Sequence, residues 1–132
     1  MLRALVVEEN AGGPVATIVS VEIDPAVGRA QEIAMVLQGR GFNVWLDGMA
    51  RAVAKVYAQH PKYLADPSRY MRAIGEVKDV RNHRGRSVAL EEADVIISTG
   101  GMMDGGPILF YLDHVRNDPK SAVAITGYQA HG

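Results

Sequence analysis

Apolar residues fall along this chain in short unbroken runs, separated by polar and glycine-rich stretches. Five runs, Val15–Ile23, Phe42–Leu46, Val77–Val80, Asp94–Ser98 and Ala122–Thr126, are rich in Val and Ile. Most run apolar without alternation, the pattern of strands covered on both faces in a parallel sheet. Helical stripes lie between them. Ala30, Ile33, Ala34 and Leu37 follow i, i+3, i+4, i+7 spacing. Met49, Ala52, Val53, Val56, Tyr57 and His60 form a second stripe, with His60 read as a partly buried helix end. Ile108, Tyr111, Leu112 and Val115 form a third.

Punctuation residues bound these stripes. Gly39 and Gly41 close the first, Pro61 closes the second, and Pro107 opens the third, where its missing N–H costs nothing. Asp66 is placed to cap a short helix over Pro67–Ile74, and Ser87 to cap another reaching Ala93. Residues 2–13 fit a helix or a strand. Strands and helices alternate from Val15 onward, which predicts right-handed crossovers and an α/β fold. The expected architecture is a three-layer, Rossmann-like domain with a mainly parallel sheet of about five strands, spanning residues 1–132 as one unit.

Composition narrows the chemistry. Fourteen Lys and Arg against fifteen Asp and Glu leave a formal net charge of -1, which excludes a uniformly basic nucleic-acid glue but permits a local basic rim. The absence of cysteine excludes a disulfide scaffold, a thiolate zinc site and a cysteine nucleophile. No run approaches roughly eighteen apolar residues and no charged-then-apolar leader opens the chain, so a cytoplasmic protein without membrane spans is expected. The four histidines, His60, His83, His114 and His131, show no metal-ligand spacing, so no intrinsic metal site is expected.

In open parallel sheets, ligands bind beyond the carboxyl ends of the strands. Here those ends lead into Asp24–Arg29, Asp47-Gly48-Met49, Arg81–Arg86, Ser98–Gly106 and Gly127-Tyr128-Gln129. The opposite edge has only short turns such as Gly39-Arg40-Gly41 and Asn117–Lys120. The polar and glycine-rich clusters therefore gather on one edge. Ser98–Gly106 reads either as a cradle for phosphate or as a tight turn whose glycines relieve sterics. It is not a Walker A loop, a G-x-G-x-x-G fingerprint or a G-x-S-x-G elbow. Arg29 follows Gly28 at a helix start, where a cation opposes the helix dipole; it answers either to a bound anion or to Glu32. Arg81, Arg84 and Arg86 form a basic patch, open to phosphate or only to water.

Several runs together resemble one known family. Val27–Glu32, Leu46–Ala50, Val95–Pro107, Asp118-Pro119-Lys120 and Gly127-Tyr128-Gln129 are similar to motifs of the β-CASP domain of metallo-β-lactamase-fold nucleases, from about Gly12 to the last residue. The resemblance implies a domain that closes over a two-zinc active site and grips single-stranded RNA in the cleft between domains, where metal-activated water attacks a phosphodiester. Carried across, it implies that Arg29, Arg84, Ser98, Gly100, Gly101, Met102, Gly105, Gly106, Tyr128 and Gln129 face RNA or phosphate. The family's H-x-H-x-D-H zinc motif does not occur in these residues, and His131 stands where Glu is usual. The implied role is an RNA clamp that is not catalytic alone, taking part in mRNA 3'-end processing or exonuclease action. Its implied partners are single-stranded RNA and a metallo-β-lactamase-like domain or chain; a homo-oligomer is left open. No cofactor is expected here, and two zinc ions are expected in the complete enzyme.

Two alternatives use the same fold. One is a nucleotide-binding Rossmann-like protein; Leu5–Asn10 resembles the opening of a receiver domain, with Asp47 in the phospho-acceptor position. The other is a scaffold docking its strand ends on a separate metal-bearing chain.

Overall fold

A computed structural model describes residues 17–21, 29–99 and 105–125 of the chain. Five strands, β1 (Thr17–Val21), β2 (Val44–Asp47), β3 (Lys78–Asp79), β4 (Val95–Thr99) and β5 (Ala122–Ile125), form one sheet in the order β3-β2-β4-β1-β5. Every pairing is parallel. Five α-helices connect them: α1 (Arg29–Gly39), α2 (Met49–Gln59), α3 (Pro67–Glu76), α4 (His83–Glu92) and α5 (Ile108–Val115). No described helix is long and apolar enough to cross a membrane.

Strand periodicity makes the layers. Val44 and Leu46 of β2, with Val95 and Ile97 of β4, pack with Ala30, Ile33, Ala34 and Leu37 of α1 and Ala50 and Ala54 of α2. Trp45 and Ile96 point the other way and pack with Ala89 of α4 and with Ile108, Tyr111 and Val115 of α5. Alternate residues of one strand thus feed two cores, which is why these runs are apolar throughout.

The chain crosses the sheet twice. It steps from β1 to β2 to β3 through α1, α2 and α3 on one face, then returns through β4 to β5 using α4 and α5 on the other. β4 therefore lies between β2 and β1, whose connections leave toward the opposite face. Such reversals open crevices at the carboxyl ends of the strands, where α/β folds take ligands.

Two local expectations are corrected. The helix expected from Ser87 begins instead at His83, because Asn82 is the cap and its side chain accepts from Gly85 N at 2.8 Å. Arg84 and Arg86 are thus helical rather than in a loop. The second stripe is also rotated: Ala50 and Ala54 are buried, whereas Met49, Val56 and His60 are exposed. Small side chains let α2 lie close to the sheet, and Tyr70 Oη donates to Ala54 O at 2.8 Å from α3. Elsewhere the caps hold as read, with Asp66 Oδ1 accepting from Arg69 N at 3.0 Å. The ambiguous 2–13 segment lies outside the described residues.

Candidate functional site

The carboxyl ends of β3, β2 and β4 stand side by side, and each turn leaving them has a distinct constraint. β2 ends at Asp47, in register with Ser98 of β4. Gly48 follows at φ 68° and ψ -145°, a conformation open essentially to glycine. A Cβ there would run into Thr99 Oγ1 and Pro107. Thr99 Oγ1 instead accepts from Met49 N at 3.1 Å, satisfying one of the donors at the start of α2. Gly106, at φ 80°, turns the chain beside Thr99 O before Pro107 leads into α5.

Beneath these turns lies a closed polar network. The Asp47 side chain is only 4% exposed, a costly place for a charge unless it is paired. Its Oδ2 accepts from Arg86 Nε at 2.8 Å and from Tyr111 Oη at 2.7 Å, and its Oδ1 accepts from Gly48 N. The hydrogen bond to Asp47 pushes the Arg86 guanidinium pKa up, against the opposing effect of burial. Burial pushes the Tyr111 phenol far above its ordinary value, and the Asp47 carboxylate adds to the effect. Asp47 thus ties β2, α4 and α5 together at one point.

With both oxygens occupied and its side chain buried, Asp47 is not disposed as a phospho-acceptor. The receiver-like alternative loses its central residue. Ser98 is likewise a correction to the expected site. It is 0% exposed within β4 and its hydroxyl faces Thr99 O at 3.4 Å, because a central strand buries both of its faces.

The remaining expected positions divide clearly. Arg29 is the first residue of α1. Arg84 is exposed on the first turn of α4, and Gly105 and Gly106 precede α5, all at carboxyl strand ends. Gly100, Gly101, Met102, Tyr128 and Gln129 lie outside the described residues. Among the described residues, no group of three or more His, Asp or Glu side chains is gathered to hold a metal ion. The described residues do not fit a zinc pair.

Sequence reading missed Tyr111 and Arg86 as partners. Tyr111 counted only as one residue of an apolar stripe, and Arg86 only as one of three patch arginines. The available signal was an acid ending a buried strand, which demands partners once the strand is covered.

Comparison with known proteins identifies the family of the chain. The Beta-Casp domain family model matches residues 30–132, a shorter reach than the Gly12 start suggested by the motifs. "Probable RNase MJ4" of Methanocaldococcus jannaschii is 37% identical over 110 residues, covering 79% of this chain and 26% of that protein. "Transcription termination factor FttA" of the same organism is 33% identical, covering 80% and 19% respectively. "RNase aCSPSF2" of Saccharolobus solfataricus is 31% identical, covering 80% and 22%. The chain therefore spans about a fifth to a quarter of the length of these relatives. With one family model running from α1 to the last residue, the chain belongs to the β-CASP domain family.

Proposed function

We propose that this chain is the RNA-gripping β-CASP domain of a zinc-dependent ribonuclease acting in mRNA 3'-end processing or as an exonuclease. Hydrolysis belongs to a metallo-β-lactamase-like domain or chain across its carboxyl edge, which would also hold the zinc ions. The domain by itself grips rather than cuts, and a cytoplasmic setting suits that role. The reading is supported by relatives named as RNases and as a transcription termination factor. The observation that carries it is that the exposed Arg84 turn and the Gly105-Gly106 turn lie on one sheet edge, where α/β folds bind ligands. Arg29, Arg84, Gly100, Gly101, Met102, Gly105, Gly106, Tyr128 and Gln129 are its contact positions, with arginines meeting phosphates and glycines allowing close backbone approach.

The test is fluorescence anisotropy with a labelled single-stranded RNA across a salt series. Affinity falls steeply between about 50 and 200 mM salt if phosphates are contacted. Arg84→Ala weakens binding and lowers the slope of log K against log salt by about 0.7, the value for one single-strand phosphate contact. Salt-independent affinity, or unchanged binding in both Arg29→Ala and Arg84→Ala, would falsify this assignment.

A further inference from the structure

One exposed cluster on the carboxyl edge is not used by phosphate contacts. His83, the first residue of α4, is exposed and lies edge-on to Phe110 of α5, with ring centroids 4.9 Å apart at 73°. Phe110 also packs on His114, at 4.4 Å, and on Tyr111, at 5.5 Å. Its ring is half-buried against the core beneath α4 and α5. His114 is held in turn, with Nδ1 2.7 Å from Phe110 O. The imidazole of His83 is thus backed by an anchored ring and open to solvent on the outside.

Its neighbours are cationic. Arg84 follows it directly, and Arg86 is three residues on, a spacing that puts two residues on the same side of a helix. Arg86 Nε is engaged by Asp47, and its side chain is 27% exposed, so the guanidinium is held at the rim instead of sweeping through solvent. An exposed ring backed by Phe110, beside the held Arg86 and the exposed Arg84, has the two elements with which proteins hold single-stranded nucleic acid: a stacking surface and charges for the backbone.

We propose that His83 is a base-stacking position: a nucleobase of single-stranded RNA rests on its open face while the flanking phosphates meet Arg84 and Arg86. Phe110 is a positioning residue that keeps the imidazole in place. This inference rests on the RNA-gripping function, so its test must be able to fail separately. Equilibrium binding of the 132-residue chain is measured with an RNA oligonucleotide and with an abasic ribose-phosphate strand of equal length. The wild type favours the base-bearing strand by about tenfold, the scale of one base stacked on a ring. His83→Ala lowers affinity for RNA to near that of the abasic strand and leaves abasic binding unchanged, whereas His83→Tyr retains the preference. His83 is exposed, so neither variant threatens folding, which thermal melts verify. Equal binding of both strands by the wild type overturns the stacking proposal alone. So does a preference that survives His83→Ala, or one lost in His83→Tyr. Binding of neither strand overturns the RNA-gripping function together with it.

Discussion

The two edges of the sheet solve the same problem in opposite ways. At the amino edge, Asn43 and the Glu92–Asp94 turn bind each other reciprocally. Asp94 Oδ2 accepts from Asn43 N at 2.8 Å, Asn43 Nδ2 donates to Glu92 O at 2.7 Å, and Asn43 O accepts from Asp94 N at 3.0 Å. Donors and acceptors there are matched locally, and the edge serves to start β2 and β4 side by side. At the carboxyl edge, one oxygen of the buried Asp47 carboxylate is satisfied by side chains from two helices distant in sequence, and the Arg86 cation paired with it reaches the surface. One edge is closed on itself. The other is anchored underneath and open above, which suits a binding edge.

Three substitutions probe that contrast. The largest effect belongs to Asp47→Ala, which strands the Tyr111 hydroxyl and leaves Arg86 without its partner. A loss of about 3 kcal/mol is expected, the low end for breaking a buried pair because Arg86 retains access to water. Urea denaturation measures it, and a loss below about 1 kcal/mol would show that the anchor is not structural. Gly48→Ala comes next, costing roughly 1–3 kcal/mol because alanine is strained at this φ and ψ and its Cβ meets Thr99. A shift in Tm under 1 °C would mean that the turn relaxes freely. The smallest belongs to Asn43→Ala at the amino edge, costing about 1 kcal/mol for its side-chain hydrogen bond. It should leave RNA affinity unchanged; a change there would erase the distinction between the edges.

Much of the framework was legible because it depends on local rules. The α1 stripe of Ala30, Ile33, Ala34 and Leu37 is buried throughout, as its spacing requires. Asp66 caps α3 and Pro107 precedes α5, each because backbone geometry at a helix start favours that residue. The start of α4 lies earlier than Ser87 because the Asn82 cap stands five residues before it. The α2 face was misjudged because hydropathy favours large side chains. Burial there follows instead from how closely Ala50 and Ala54 let the helix approach the sheet.

The candidate site was legible as an edge but not as a set of contacts. Alternation of strands and helices, with parallel pairing, sends every strand's carboxyl end the same way, so sequence order alone gathers the glycine-rich and arginine-rich turns together. The motifs within those turns also suffice to point to the β-CASP family. What only the tertiary structure decided is which residues in those turns are committed inward. Arg86 and Tyr111 lie 39 and 64 residues along the chain from the Asp47 carboxylate they share, and no periodicity links them. Ser98 belongs to the loop by sequence and to the core by burial. Local hydrogen bonds and hydrophobic periodicity are short-range and can be read along the chain. Pairing of a buried charge is a demand that any element packed above it can meet, and only the fold determines which one does.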